Sequence, residues 1–173
     1  KPLQYISEAY KELGDEDKAL EYNQQYMDKN PNAAPTDFMK LAEIYVNKAK
    51  KDPAKKIENI DKAIGVYAKL SEKYPTLKTF AKLQEGNTAF QNELDDKAIA
   101  AYTEVINELE AKQCDEDELS YLKTSYQYMG FIYTYDKQDF NTAKPYWDKL
   151  LKLDPQNKLA NDAYEKAGLK PGE

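Results

Sequence analysis

Side chains that could carry out nucleophilic or acid–base chemistry are few in this chain of 173 residues. Histidine, which most often acts as general base or metal ligand near neutral pH, is absent. The serines therefore have no imidazole partner, and a Ser–Lys pair, though formally open, arises by chance in a lysine-rich chain. These serines are Ser7, Ser71, Ser120 and Ser125. The six glycines are scattered and form no phosphate-binding loop. We therefore predict that the chain is not an enzyme.

The single cysteine, Cys114, is the strongest remaining nucleophile candidate. It precedes the acidic run "DEDE" (Asp115–Glu118). Negative neighbours raise the pKa of a thiol, whereas a reactive cysteine needs a lowered pKa. We therefore interpret Cys114 as structural. One cysteine also excludes an internal disulfide and is compatible with either redox compartment.

Two acidic runs, "DED" (Asp15–Asp17) and "DEDE", raise the question of calcium binding. Neither has the alternating ligands, central glycine and distal glutamate of an EF-hand loop. Acidic residues are favoured in the first turn of a helix, where they interact well with the helix dipole. We therefore expect helix starts at both runs, and we predict no metal and no cofactor.

The charge balance argues against nucleic acid as the main ligand. The net charge is −6 and all 25 basic residues are lysines, so the bidentate guanidinium contact to phosphate is missing. One basic cluster, "NKAKKDPAKK" (Asn47–Lys56), stands out against this acidic background. It could dock an anionic partner, but we favour the solvated tip of a lengthened helical hairpin.

The hydropathy of the chain and its first five residues indicate where the protein could be located. No apolar run approaches the roughly 18–20 residues that span a bilayer, so we predict a soluble protein without a transmembrane segment. The chain begins "KPLQY" without methionine, which predicts that a signal peptide, an upstream domain or another segment has been removed. Periplasmic, secreted and cytoplasmic locations all stay open.

Helical periodicity runs along the whole chain. Apolar residues recur at intervals of three and four, and no segment alternates as a β-strand would. Pro31, Pro75 and Pro155 are expected to end helices, and Asp115 with Glu118 has the spacing of a capping box. The pattern predicts nine helices. Their approximate bounds are 2–13, 16–29, 35–50, 53–73, 76–92, 95–113, 116–136, 142–153 and 157–167.

Two sequence skeletons recur in order. The first has two large residues three apart, then a small residue and a tyrosine. Its copies are Leu3–Tyr10, Phe38–Tyr45 and Tyr126–Tyr133, with a weak copy at Lys82–Ala89. The second places an alanine twelve residues before a proline. Its alanines are Ala19, Ala63 and Ala143, with Ala98 in a copy that lacks the proline. Four residues after these alanines come Asn23, Tyr67, Trp147 and Tyr102.

The two skeletons resemble the tetratricopeptide repeat (TPR) family, whose unit of about 34 residues reads W-x2-L-G-x2-Y, then A-x3-F, then P. The resemblance covers almost the whole chain. It implies an all-α fold, a right-handed α-solenoid of about four TPR-like helix pairs plus a C-terminal capping helix. It also implies a single domain over residues 1–173, with repeats at about 1–33, 34–76, 77–112 and 115–156 and a capping helix at 157–167.

The small positions of the skeletons would let helices approach closely, and the aromatics would fill the space between neighbouring pairs. The small positions on first helices are Ser7, Ala42, Gly86 and Gly130. The second-helix alanines are 44, 35 and 45 residues apart, which predicts lengthened helices in two intervals, the later one around Glu110–Leu122. We also expect Thr142 to be an N-cap, because Pro145 would then lie in a first turn, where proline is tolerated.

The resemblance implies a non-catalytic protein- or peptide-binding scaffold that uses the concave face of the array. The alternatives are a helical-repeat fragment of a larger multidomain protein with a structural or assembly role, and an unrecognised enzyme. Some TPR modules grip a C-terminal carboxylate with Lys, Arg and Asn side chains. Asn87 matches one asparagine of that clamp, but Leu83 and Tyr128 replace other members, so we do not expect this mode.

The TPR register also predicts which side chains line a peptide-binding groove. They are Met39, Glu43, Val46, Leu83, Asn87, Phe90, Gln127, Phe131 and Tyr135. The set is poor in charge and rich in apolar and aromatic groups, which suits a peptide with hydrophobic anchors. The alternative is that Phe90 and Phe131 pack against each other or against the lengthened helices. Leu3, Ile6 and Tyr10 also make the N-terminal repeat a candidate for self-association.

Overall fold

The computed structural model describes residues 2–172, apart from the side chain of Asp28. These residues form nine α-helices and no β-strand. The helices are α1 (Pro2–Glu12), α2 (Glu16–Lys29), α3 (Pro35–Lys51), α4 (Lys56–Lys73), α5 (Lys78–Phe90), α6 (Asp95–Glu110), α7 (Glu116–Phe131), α8 (Phe140–Leu153) and α9 (Lys158–Ala167). The predicted all-α repeat fold is confirmed, and most helix ends lie within three residues of the prediction.

Helix starts follow the local sequence signals. α4 and α5 are each preceded by a 3₁₀ turn that begins with proline, Pro53–Lys55 and Pro75–Leu77. Proline suits the first helical position because its φ is fixed there and its missing N–H would have no partner. The predicted capping box is confirmed. The Glu118 N–H donates to Asp115 Oδ1 at 2.9 Å, and the Asp115 N–H donates to Glu118 Oε2 at 3.2 Å.

The start of α8 differs from the prediction, and Thr142 is not its N-cap. The carboxylate of Asp139 accepts the backbone N–H of Thr142 at 3.1 Å and its hydroxyl at 2.6 Å, so the helix begins at Phe140. Aspartate is the better N-cap of the two, which explains the earlier start. Pro145 therefore lies inside the helix. Pro145 has no N–H to donate to the carbonyl one turn earlier in the helix. Because Pro145 is exposed, water can donate to that carbonyl instead.

The later lengthened interval also differs from the prediction. Residues 111–115 are not helical, because α6 ends at Glu110 and α7 begins at Glu116. After Phe131 the predicted α-helix continues as one π-helical turn, Ile132–Asp136. The earlier interval is as predicted, since α3 and α4 have 17 and 18 residues.

The chain divides into two compact units, Lys1–Asn92 and Glu93–Glu173. In the first unit a core cluster forms between α3, α4 and α5. Its larger members include Phe38, Leu41, Tyr45, Val66, Tyr67 and Leu70. Full burial of a side chain such as Leu70 stabilises the folded state by about 1.5–3 kcal/mol.

Polar contacts fasten the turn between α1 and α2 to the end of α3. Lys51 Nζ donates to the Gly14 carbonyl at 2.7 Å and pairs with the buried carboxylate of Glu16 at 2.6 Å. Gly14 has a φ of +75°, a left-handed conformation that glycine adopts without strain. Lys48 pairs with Asp17 on α2. Two lysines of the basic cluster thus hold the first helix pair to α3.

The core of the second unit is built around Trp147 of α8, which is fully buried. Its indole N–H donates to Thr134 Oγ1 at 2.8 Å. A Cβ placed on Gly130 of α7 would lie 2.5 Å from the Trp147 ring, so only glycine fits at this approach. The other fully buried large side chains of the unit include Tyr102, Leu109, Met129, Ile132, Leu150 and Tyr164.

The skeleton positions recur in space as they do in sequence. Each second-helix alanine, Ala19, Ala63, Ala98 and Ala143, is fully buried. Each first-helix small residue is buried as well, as predicted: Ser7, Ala42, Gly86 and Gly130. The positions four residues after the alanines are also buried, and aromatic rings occupy all of them except that of Asn23.

We predict that Gly130→Ala destabilises the protein by about 1–3 kcal/mol, because the added methyl group overpacks against the Trp147 ring. Gly65→Ala is the matched control: it lies inside α4, and its added Cβ would have no atom within 4 Å. That change should stabilise by up to about 1 kcal/mol, the difference in helix propensity. Urea denaturation midpoints measure both. Equal midpoints for the two variants would contradict the close approach at Gly130.

Alkaline pH should destabilise the fold through Tyr102. Its burial raises the pKa of the phenol well above the ordinary value near 10. The folded state keeps this proton while the unfolded chain releases it, so stability is lost as the pH rises above about 10. We predict that Tyr102→Phe reduces this loss by up to about 1.4 kcal/mol per pH unit in urea denaturation. Tyr5→Phe, at an exposed tyrosine, should leave the slope unchanged, and an equal slope in all three proteins would contradict the prediction.

Candidate functional site

The predicted groove residues of the first unit lie on α3 and α5. On α3, Met39 exposes 38% of its surface. Glu43 is exposed and pairs with Lys11 of α1 at 2.6 Å. Val46 is partly buried and packs against the core cluster. Met39 is therefore the apolar α3 residue with most surface for a ligand, and Glu43 supplies a carboxylate.

The predicted residues on α5 are less accessible. Leu83 exposes only 5% of its surface and belongs to the core. Asn87 and Phe90 are partly buried. Leu83 therefore has little surface to offer a ligand, because neighbouring side chains cover it.

The three predicted residues of the second unit lie on α7 and the π-helical turn. The Phe131 and Tyr135 rings are in contact, with centroids 4.8 Å apart. Lys166 of α9 places its Nζ 4.5 Å from the centroid of the Tyr135 ring, a cation–π contact. Gln127 Oε1 accepts a hydrogen bond from Asn157 Nδ2 at 3.3 Å. Phe131 and Tyr135 thus form an aromatic pair, whereas Gln127 is engaged at the start of α9.

A cavity of about 430 Å³ is lined by Tyr135, one of the two rings of this pair. The π-helical turn supplies Thr134 and Tyr135, and α9 supplies Ala163 and Lys166. π-helical turns are rare and occur frequently at functional sites. The aromatic pair, the turn and the cavity together form a partly apolar surface with one lysine beside it.

A second cavity, of about 360 Å³, is lined by residues of α1, α2 and α3 and was not predicted as a site from the sequence. Ser7 of α1, Asn23 of α2 and Ile44 of α3 line it, and all three are buried. Glu43, a predicted groove residue, also lines it. The available sequence signal was Asn23, because aromatic residues occupy the equivalent place in the later repeats.

Two other sequence candidates have structural roles. Lys48 and Lys51 of the basic cluster pair with Asp17 and Glu16, as described above. The Cys114 thiol donates to the Leu109 carbonyl at 3.3 Å, and its burial, with the Glu118 carboxylate nearby, raises the pKa of the thiol. The predicted direction of this pKa shift is confirmed, although burial is its largest cause.

Neither a metal site nor a membrane-spanning helix is found in the part of the chain that the structure describes. Between residues 2 and 172 no three His, Cys, Asp or Glu side chains converge as metal ligands would. None of the described helices has the length and apolar character needed to cross a membrane.

Comparison with known proteins relates the chain to one repeat family. The family model described as tetratricopeptide repeat matches residues 3–33. A search of the curated proteins finds no match. Among solved structures, the C-terminal part of a TPR repeat-containing protein from Cytophaga hutchinsonii superposes with a TM-score of 0.67 and 21% identity, covering 93% of this chain and 58% of that chain.

Human IFIT1 also has a similar fold. The structure of its dimer with PPP-AAAA gives a TM-score of 0.62 at 17% identity and covers 95% of this chain. A monomeric IFIT1 mutant with Gppp-AAAA gives 0.61 at 16% identity. The chain spans 58% of the Cytophaga protein's structure and 36% of each IFIT1 chain.

These likenesses agree with the buried alanines and small residues of the recurring skeletons. At these identities the TM-scores show a similar fold and no more, and the repeat model matches the sequence of the first helix pair. The chain therefore matches the tetratricopeptide repeat model at residues 3–33 and has a helical-repeat fold similar to that of the tetratricopeptide-repeat structure from Cytophaga hutchinsonii.

Proposed function

We propose that the chain is a non-catalytic scaffold that binds a peptide or a protein surface, with Phe131 and Tyr135 as anchors in the second unit. The observation that carries this proposal is the contact between these two partly exposed rings, whose centroids are 4.8 Å apart, and Tyr135 also lines a cavity. Aromatic side chains are enriched among the residues that dominate binding energy. Because the two rings are in contact, one hydrophobic side chain of a partner could contact both of them.

The composition of the predicted groove supports the same class of ligand. Glu43 is the one charged residue among its nine members, although 32% of the chain is charged. An apolar helical face suits an extended or helical peptide that inserts hydrophobic side chains. Met39 and Val46 supply such a surface in the first unit, where Met39 is the more exposed.

Charge favours protein over nucleic acid as the ligand. The IFIT1 structures hold PPP-AAAA and Gppp-AAAA, and binding of phosphate relies on Lys and Arg. This chain has a net charge of −6 and no arginine. In its basic cluster, Lys48 and Lys51 already pair with acidic side chains of α2. We therefore do not transfer the IFIT1 ligands to this chain.

The proposal is tested by identifying a partner and then removing the anchors. Pull-down from the native cell with mass spectrometry identifies partners, and calorimetry measures their affinity. We predict that Phe131→Ala and Tyr135→Ala each weaken binding by more than about 1 kcal/mol, roughly a fivefold rise in Kd. Tyr5→Ala, which removes an exposed ring of α1 outside the predicted groove, is the control and should bind normally. Thermal denaturation confirms that each variant is folded.

Charge reversal in the basic cluster tests the alternative that this cluster, and not the aromatic pair, is the binding site. Lys50→Glu and Lys55→Glu reverse two exposed charges of the cluster and spare Lys51, whose ion pair with Glu16 supports the fold. If these reversals abolish binding while the Phe131 and Tyr135 variants bind normally, the basic cluster is the binding site and the proposal is wrong.

A further inference from the structure

A third cavity, of about 560 Å³, is lined by residues of α2, α3 and α4 in the first unit. Its apolar residues include Met27 of α2, Phe38 and Leu41 of α3 and Val66 of α4. Met27 is partly buried, and the other three keep between 4% and 8% of their surface exposed. None of the predicted groove residues lines this cavity. It is therefore a separate surface with an apolar lining, and we call it the α2–α4 groove.

Gly65 of α4 lines the α2–α4 groove, and no contact inside the protein requires a glycine there. It lies in the interior of α4, where glycine costs about 1 kcal/mol relative to alanine. A Cβ placed on Gly65 would have no atom within 4 Å, whereas one placed on Gly130 would meet the Trp147 ring. The small residue at 130 thus accommodates a neighbouring helix, but the one at 65 is open. A helix without a side chain at such a point lets the backbone of another segment approach closely.

The charged residues that line the α2–α4 groove are cationic. Lys62 and Lys69 of α4 line it, and no described Asp or Glu side chain does. Lys69 is exposed and has no ion pair among the side chains that the structure describes. Lys62 pairs with Glu58 at 2.5 Å, and an exposed pair of this kind contributes only about 0–1 kcal/mol. Lys73 adds a third cation, with its Nζ 5.5 Å from the centroid of the Phe38 ring. The groove therefore combines an apolar lining with positive charge in a chain whose net charge is −6.

We infer that the α2–α4 groove binds a helical segment of a partner protein whose apolar face is flanked by Asp or Glu side chains. An apolar side chain of that segment would pack beside Leu41 and Val66, as in other cases where an amphipathic helix binds in a groove. The backbone of the segment would approach α4 at Gly65, and its carboxylates would pair with Lys62 and Lys69. This surface is additional to the proposed aromatic anchors, which belong to the other unit.

Other occupants fit the groove less well. A basic helix would place its cations against Lys62 and Lys69 and would be repelled. A neutral apolar helix would take Lys69 away from water without supplying a counter-charge, which is costly. A second copy of this chain would bring a net charge of −6 to a protein of the same charge. A nucleic acid is held by cationic contacts to successive phosphates and gains little from apolar lining residues.

Three synthetic helical peptides test this assignment by NMR titration into ¹⁵N-labelled protein. The acidic peptide, blocked at both ends, is built from Ala, Leu and Glu, with its leucines on one helical face and glutamates on both sides of that face. In the two matched peptides Lys or Gln replaces every Glu. We expect the acidic peptide to shift the amide signals of Leu41, Gly65 and Val66 and to bind about fivefold more tightly than either matched peptide. The net charge of −6 favours the lysine peptide, so a preference for the acidic peptide reports local recognition.

Variants of the groove identify the residues that recognise the acidic peptide. Gly65→Leu adds a side chain where a Cβ meets no other atom, and leucine is the better helix former, so the fold should be retained. Its side chain blocks the close approach, and the Kd for the acidic peptide should rise about fivefold or more. Lys69→Glu should raise this Kd by a similar factor, because it replaces an attraction by a repulsion. Lys152→Glu is the matched control, because Lys152 is exposed, lies in the other unit and has no ion pair among the described side chains. Urea denaturation midpoints confirm that each variant is folded.

Several results would overturn the assignment of an acidic helical partner. They are equal affinity for the three peptides, signal shifts confined to the second unit, no saturable binding of the acidic peptide at millimolar concentration, and unchanged binding in folded Gly65→Leu and Lys69→Glu variants. Groove signals that shift with protein concentration in the absence of peptide would assign the groove to a second copy of the chain instead. Phe131→Ala and Tyr135→Ala should bind the acidic peptide normally, so the groove and the aromatic anchors can fail separately.

Discussion

The close approach of helices at small residues is the constraint on which the rest of this structure depends. Gly130 leaves no room for a Cβ against the Trp147 ring, and alanines recur, fully buried, on the second helix of each pair. Because protein interiors are close-packed, helices at this distance accept only matching side chains between them. The aromatic residues four positions after the alanines fill the space that the small residues create. The same kind of helix–helix contact therefore recurs from repeat to repeat.

The same constraint explains where binding chemistry can arise. Where an aromatic ring fills the space between the helices, as with Trp147, the side chain is fully buried. Where Asn23 replaces the ring, a cavity lies between the helices and the side-chain oxygen of Asn23 has no hydrogen-bond partner. After Phe131 the helix departs from the regular repeat in another way, because it continues as a π-helical turn that carries Tyr135, whose ring contacts that of Phe131. Both candidate surfaces are thus departures from the regular repeat rather than additions to it.

Lysine ion pairs complement the apolar joints in the first unit. Lys11 and Lys40 join α1 to α3, and Lys48 and Lys51 join α2 to α3. An exposed pair of this kind contributes about 0–1 kcal/mol, so none of the more exposed ones dominates stability. Their opposite charges nevertheless favour one register of the first helix pair against α3. Lys48 and Lys51 belong to the basic cluster, so two of its lysines pair with α2. From the sequence alone, the cluster could also have docked an anionic partner.

The sequence by itself determined the all-α repeat fold, nine helices and the buried small positions, because periodicity, prolines and caps such as Asp115 act between residues close in the chain. It misplaced the start of α8, where Asp139 is a stronger cap than Thr142, and it assigned Leu83 to a groove. Burial of Leu83 and the cavity at Asn23 were decided only by the tertiary structure. The physical reason is that the exposure and hydrogen bonding of a side chain depend on residues from other helices, whose distances no local pattern specifies.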